Sequence, residues 1–352
     1  MQKEENQMFT FRGCTTALIT PMTADQQVDY EGLHRLVDFQ IQEGIDGLLA
    51  VGTTGESPTL NWEEHSKVIE KTGEYANNKC FTIAGTGSNS TQEAINGTQH
   101  AEEAGINAVL LVDPYYNGPS SLEIRREYIE PIAKQFPKMH IIPYIIPGRT
   151  GTQLFPQDLA ILHQQYPNVH CVKEATGDIE NMILTRQLCG KNFEILSGDD
   201  DKTYNMMVDP RVEAVGAISV VSNIAPGAVT DMIHYVLDGN KEAAKTIHQA
   251  LQPLFDIVTV KTQEVTPYGS VTCKARNPLA FKTLMNILGM PSGPCRQPLG
   301  KMTPAGLEIV LANAHKVYET NPQVLEPIAD YFGVNLKDRL YNKECLVGLT
   351  YA

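Results

Sequence analysis

Short apolar runs alternate with longer amphipathic stretches along most of this chain. Residues 13–22 are rich in β-formers and end in a Thr-Pro turn. Over 30–44, Leu33, Leu36, Val37, Phe39 and Ile41 fall mainly on one face of a helix. A short apolar strand follows at 47–52, then a helix over 61–75, entered through Thr59 or Asn61 with acids in its first turn. The alternation continues with strand 81–85, helix 91–104 closed by Gly105, strand 108–112, helix 122–136, strand 140–146 and helix 156–165. Strands at 169–173, 193–196 and 215–221 each lead into a further helix, after Asp178, after Asp201 and after Pro226.

The units recur at roughly thirty residues, the size of one strand-plus-helix step. Eight such steps in roughly the first 240 residues predict an α/β fold, a (β/α)8 TIM barrel. Strands this short and apolar on both faces suit a parallel sheet covered by helices. The rival, a doubly wound open sheet, needs a phosphate-binding glycine loop, and Gly85-Thr86-Gly87 lacks the third glycine of that motif. Helical stretches at 241–259, 279–288 and 304–318 predict a C-terminal helical appendage, whereas the mixed polarity of 263–277 predicts a loop. The expected division is a catalytic barrel over 10–240, a helical region over 241–320 and a tail of unassigned structure over 321–352.

Composition narrows the function classes. The 352 residues are 42% hydrophobic and 20% charged, enough for a real core and unlike a disordered or disulfide-scaffold chain. A net charge of −13, from 41 acidic and 28 basic residues, speaks against a nucleic-acid binder or a polybasic membrane-surface protein. No apolar run is long enough to span a membrane, and the N-terminal Met1 to Gln7 is polar, without a signal core. Seven dispersed cysteines without CxxC spacing point to reduced thiols and a cytoplasmic setting.

In a barrel of this kind chemistry sits at the C-terminal ends of the strands. The sixth strand ends in Lys173. A lysine buried there is pushed toward its neutral form and becomes a nucleophile for ketones, through a Schiff base; a rim lysine paired with Glu174 is the plainer alternative. Gly52-Thr53-Thr54-Gly55 presents backbone amides at a strand-to-helix turn, which suits a carboxylate. Tyr116 and Tyr144 can relay protons. Arg149, just past a strand end, can clamp a carboxylate through two hydrogen bonds. Asp199-Asp200-Asp201 lacks calcium-loop spacing and any His or Cys partner, so it reads as an N-cap of the next helix and not as a metal site. No metal and no cofactor is expected.

These motifs taken together resemble the pyruvate-dependent class I aldolase and lyase family, and within it the dihydrodipicolinate synthase group. The resemblance covers about residues 10–310: Thr20-Pro21-Met22, GTTGES at 52–57, GTGSN at 85–89, PYYN at 114–117, Tyr144 with PGRTG at 147–151, KEATG at 173–177, SGDD at 197–200 and Asn277-Pro278. It implies that Lys173 forms the imine with pyruvate, that Tyr144 is the acid/base beside it, and that Thr53 links Tyr144 to Tyr116 in a proton relay. Tyr116 would come from a neighbouring subunit of a homo-oligomer, a dimer or a tetramer. The amides of Thr53 and Thr54 would hold the pyruvate carboxylate, and Gly198 and Ile218 would line the site through their backbones. Arg149 would bind the carboxylate of L-aspartate 4-semialdehyde, the second substrate in lysine and diaminopimelate biosynthesis. The alternative is a related Schiff-base enzyme of the N-acetylneuraminate lyase or 2-keto-3-deoxy sugar acid aldolase type, which generally lacks an arginine there.

The resemblance further implies an L-lysine feedback pocket at Ser57, Pro58, Trp62, His65, Asn89, Glu93 and Tyr115. Trp62, the single tryptophan, matches the plant-type version of that pocket. Two departures stand out. Ile145 replaces the usual asparagine after Tyr144, which bears on the loop carrying Arg149. The stretch 263–276 and the tail after about 320 are longer than usual.

Overall fold

A computed structural model describes residues 10–351, so the polar N-terminal segment singled out above lies outside the described residues. Eight parallel strands close on themselves in sequence order: β1 (Gly13–Ala17), β2 (Gly47–Ala50), β3 (Phe81–Gly85), β4 (Ala108–Val112), β5 (His140–Ile145), β6 (Cys171–Glu174), β7 (Glu194–Ser197) and β8 (Gly216–Ser219). This is the (β/α)8 barrel expected from the strand–helix spacing. Nearly every strand position is buried, because the interior and the helical jacket each take one face. Closure between β1 and β8 depends on Gly216, where a Cβ would lie 1.9 Å from the Gly13 carbonyl oxygen.

The apolar residues form two clusters. The smaller one fills the barrel and includes Leu49, Ile83, Leu110, Ile142, Leu196 and Ile218. Phe11 plugs its lower mouth, edge-on to Phe81 and His140, with its backbone N–H donating to Glu194 at 2.8 Å. The lower end is therefore sealed, and the opposite, C-terminal end stays available for a site. The larger cluster lies between the strands and the helices.

Local chemistry sets the helix starts. Asn61 caps the helix Trp62–Ala76 in a reciprocal box with Glu64, and Arg296 grips the same Glu64 carboxylate at 2.6 and 2.9 Å. Asp178 caps Ile179–Cys189. The stretch expected as one helix over 122–136 contains a π-helical middle, Ile124–Ile129, between Ser121–Glu123 and Glu130–Gln135. Pro131 falls in the first turn after that middle, where it lacks an N–H to donate back.

The C-terminal third corrects one expectation. Residues 263–277 are mostly not a loop: they belong to an antiparallel hairpin, β9 (Thr259–Thr266) and β10 (Gly269–Arg276), joined by Pro267 and Tyr268. One face packs on the helix Pro304–Thr320 through the buried Val260, and Thr262 and Thr303 share a hydrogen bond of 3.1 Å. The tail is also ordered structure, with helices Glu326–Phe332 and Leu336–Tyr341. It folds back on the first barrel helix, Tyr30–Gln42, where Tyr331 and Phe332 meet the Phe39 ring at 5.3 and 5.2 Å.

Candidate active site

Register brings the central pair together. Tyr144 on β5 stands opposite Lys173 on β6, and the Lys173 Nζ lies 4.3 Å from the centroid of the Tyr144 ring. Lys173 is only 5% exposed. Burial pushes its pKa down to about 8; Asp200 and Asp199 act in the opposite direction, and Arg149 adds to the lowering. The plainer alternative, pairing with Glu174, does not hold. The Glu174 carboxylate accepts from the Thr176 N–H at 2.7 Å and from Asn181 Nδ2 at 3.0 Å.

Space beside the Lys173 side chain is left by Gly198 at the end of β7. A Cβ there would sit 3.1 Å from Lys173 Cε and 2.8 Å from Ala175 Cβ. The cavity around them, about 470 Å³, is lined by Thr53, Thr54, Tyr144, Arg149, Lys173 and Gly198 among others. The Ile218 side chain packs in the barrel interior, and Val220, two residues on, lines the cavity. A second hollow of about 200 Å³ shares Thr53, Tyr144, Ile146 and Arg149 with the first and extends to Ser57, Pro58, Gly85, Gly87 and Tyr115.

Burial drives the Tyr144 phenol up to about 12, against the lowering by Arg149 and by the hydrogen bond it shares with Thr53. The phenol therefore stays protonated across neutral pH, ready to donate. Thr54 is buried and its hydroxyl accepts from Asn277 Nδ2 at 3.0 Å. The turn carrying both threonines is pinned from behind. Glu56, in the left-handed region at φ 58°, forms a buried ion pair with Lys282 at 2.6 Å and accepts from the Arg296 N–H at 2.7 Å. Lys282 also donates to the Thr20 and Pro294 carbonyls at 3.1 and 2.9 Å, so the pair is fully satisfied.

Arg149 remains at the cavity despite Ile145, whose side chain is buried in the outer core. Its Nη2 donates to the Asn277 carbonyl at 3.2 Å, and burial lowers its guanidinium pKa. The triple aspartate corrects another expectation, because it does not cap the next helix. Asp199 makes no side-chain capping bond, and Asp200 is buried, accepting from Ser219 Oγ, from the Val220 N–H at 2.9 Å and from the Val221 N–H at 3.4 Å. Asp200 thus ties the end of β7 to the end of β8, beside Lys173.

Tyr116 is 87% exposed in this chain and does not line either hollow. Its N–H and that of Tyr115 both donate to Asn89 Oδ1, at 3.1 and 2.7 Å, which fixes the turn that presents them. Of the remaining positions expected to form a feedback pocket, His65 is buried, shares a 3.1 Å hydrogen bond with Ser57 and packs edge-on to Trp62. Burial brings the His65 pKa down to about 4, so the ring is neutral. Glu93 is exposed and accepts from Ser88 Oγ.

Sequence reasoning missed three contributors: Asn277 behind Thr54, Asp200 as a clamp, and three hairpin cations, Lys261, Lys274 and Arg276, that also line the larger cavity. Asn277-Pro278 was visible as a motif; the hairpin cations carried no sequence signal.

Residues 10–313 match the Dihydrodipicolinate synthetase family. A 4-hydroxy-tetrahydrodipicolinate synthase of Methanococcus maripaludis (strain C6) is 38% identical over 303 residues, covering 86% of this chain and 97% of the relative. Two crystal structures are similar in fold and sequence. One is a dihydrodipicolinate synthase from Acinetobacter baumannii, chloride inhibited and complexed with pyruvate, with TM-score 0.79 and 32% identity over 88% of this chain and 99% of that one. The other is from Cyanidioschyzon merolae with lysine bound, with TM-score 0.78 and 32% identity over 87% of this chain and 98% of that one.

Proposed function

The chain belongs to the Dihydrodipicolinate synthetase family, and from that premise we propose that it is a lyase condensing pyruvate with L-aspartate 4-semialdehyde in lysine biosynthesis. The observation that carries the reading is a buried lysine of lowered pKa at a barrel strand end, stacked on a protonated tyrosine and facing a glycine-lined space.

The residues support the following sequence of events. The neutral Lys173 amine adds to the pyruvate ketone, and loss of water gives an imine. The Thr53 and Thr54 backbone N–H groups meet the pyruvate carboxylate. Loss of a methyl proton makes an enamine, whose carbon attacks the aldehyde. The Tyr144 phenol, hydrogen-bonded to Thr53, delivers the proton to the new alkoxide. Arg149 holds the aldehyde's own carboxylate, and the substrate amine then displaces Lys173 and closes the ring.

The exposed Tyr116 fits a role in a neighbouring subunit's relay, which makes the active form a homo-oligomer, dimer or tetramer. Ser57, Pro58 and Tyr115 border the hollow that also contains Thr53 and Tyr144, which supports L-lysine feedback through Ser57, Pro58, Trp62, His65, Asn89, Glu93 and Tyr115. Unchanged initial rates in millimolar lysine would remove that regulation. Among the described residues no helix is long and apolar enough to cross a membrane, and the site of action we assign is the cytoplasm.

Borohydride reduction in the presence of pyruvate, followed by peptide mass analysis, tests the chemistry: the adduct is expected on Lys173. A substrate panel separates the branches. Turnover of aspartate semialdehyde is expected, and turnover of keto sugar acids alone would transfer the protein to the sugar-acid branch.

A further inference from the structure

We propose that the β9–β10 hairpin gives the catalytic cavity a second anion subsite at its mouth, built from Lys261, Lys274 and Arg276, that gathers small 2-oxo acid anions before they reach Lys173. The inference rests on pyruvate being the ketone of the reaction.

The hairpin register sorts its side chains onto two faces. Val260, Thr262 and Glu264 alternate onto the face that carries Val260 against the helix Pro304–Thr320. Thr259, Lys261 and Gln263 share the other face with their partners Arg276, Lys274 and Thr272. Lys261 and Lys274 are direct cross-strand partners, and like charges in that relation are unfavourable. Arg276 is the neighbouring position on the same face, and all three line the cavity that holds Lys173 and Arg149.

Among the described residues no carboxylate is within ion-pair distance of them; Arg276 Nη1 only reaches the Gly148 carbonyl at 3.4 Å. Glu264 lies on the opposite face and accepts from Thr262 Oγ1 at 3.2 Å. Three acids, Asp199, Asp200 and Asp201, also line the cavity. Asp200 is held by Ser219 and two backbone N–H groups, Asp199 lies in the fields of Lys202, Lys173 and Arg149, and the exposed Asp201 is in no salt bridge with the hairpin.

Lysines on edge strands also guard against edge-to-edge pairing, but then they belong where the edge is bare. Here the bare part is the tip, where Val265 is 90% and Tyr268 99% exposed, and no cation lies between Glu264 and Lys274. The positive charge is concentrated at the cavity end instead. That matters in a chain of net charge −13, whose overall field repels a monoanion such as pyruvate. Arg149, Lys261, Lys274 and Arg276 outnumber Asp199, Asp200 and Asp201 along the cavity wall, so the local charge balance is positive. Aspartate semialdehyde is a zwitterion without net charge at neutral pH, so it gains far less from this arrangement.

The experiment compares the full-length protein with the K261Q/K274Q double variant, after matching their circular dichroism and melting curves. With pyruvate varied, kcat is expected to hold while kcat/KM falls about 3–10-fold at low ionic strength, and the deficit is expected to close in about 0.5 M salt. The kcat/KM for aspartate semialdehyde is expected to stay within about twofold, and K261R/K274R to restore the pyruvate value. Equal pyruvate kcat/KM at low salt, or a deficit indifferent to salt, would overturn the subsite. If the unaltered protein traps no pyruvate with borohydride, the reaction assigned above fails separately. Titration with malonate, a small dianion that forms no imine, then still decides: weaker and less salt-dependent binding to K261Q/K274Q supports the subsite, and equal binding removes it.

Discussion

The Lys173 amine lies 4.3 Å above the centroid of its register partner's ring, Tyr144, and both groups are buried. The face of an aromatic ring favours a cation, whereas burial disfavours it. Burial wins, which takes the lysine down to about 8 and the phenol up to about 12. Displaced in opposite directions, the two groups span neutral pH as an accessible amine and a protonated acid.

Imine formation is expected to follow the neutral fraction of Lys173. The rate of forming a borohydride-trappable adduct should climb through an apparent pKa near 8 and level off above it. A limb placed near 10, the range of an ordinary lysine, would contradict the buried environment.

The same displacement has a stability consequence. Below pH 8 the folded state holds a buried charge that the unfolded chain keeps in water, and this disfavours folding by about 3 kcal/mol for a pKa lowered from 10.5 to about 8. The cost shrinks as pH rises from 8 toward 10.5, where both states lose the proton. Lys173→Met is therefore expected to be inactive yet to melt higher than the unaltered protein at pH 7, with the gap narrowing by pH 10. A lower melting point for Lys173→Met at pH 7 would count against this reading.

Tyr144→Phe keeps the ring and removes only the hydroxyl bonded to Thr53. The expected loss in kcat is about 10²–10⁴-fold, the usual worth of a positioned proton donor. Trapping of pyruvate on Lys173 by borohydride should persist, since the Lys173 amine is untouched.

Arg149→Gln tests the choice of second substrate. Loss of a charged hydrogen-bond donor to a carboxylate costs about 1.5–3 kcal/mol, or roughly 10–150-fold in kcat/KM for aspartate semialdehyde. Pyruvate trapping should change much less. Equal losses for both substrates would assign Arg149 to general structure.

The Glu56–Lys282 pair holds the turn bearing Thr53 and Thr54 from a fully buried position. Removing one partner strands the other charge, so Lys282→Met is expected to destabilise the fold by about 3–5 kcal/mol in chemical denaturation. The double variant E56Q/K282M should recover part of that loss, because no isolated charge remains.

Several parts of the site can be read along the chain because they are local. Lys173 ends a short strand that is apolar on both sides, and GTTGES has the composition of a tight strand-to-helix turn. The hairpin resists such reading: both of its strands are largely exposed, Val260 is their single fully buried position, and the Pro267-Tyr268 link looks like any loop. Asp200 was likewise hidden. An aspartate ahead of a helix reads as a cap, and only the approach of β8 supplies the Ser219, Val220 and Val221 groups that claim it.

The sequence by itself determined the barrel, since strand–helix periodicity and two-sided burial are written in consecutive residues, and it singled out Lys173, Tyr144 and Arg149, which the fold brings to one cavity. Tertiary structure alone decided which charges share a space. Lys173, Arg149 and the hairpin cations come from segments up to more than a hundred residues apart, and only barrel closure and the folding back of residues 259–276 bring them to one cavity. The −13 charge of the chain cannot reveal that convergence, because an electrostatic field depends on distances and burial, which a residue count does not contain.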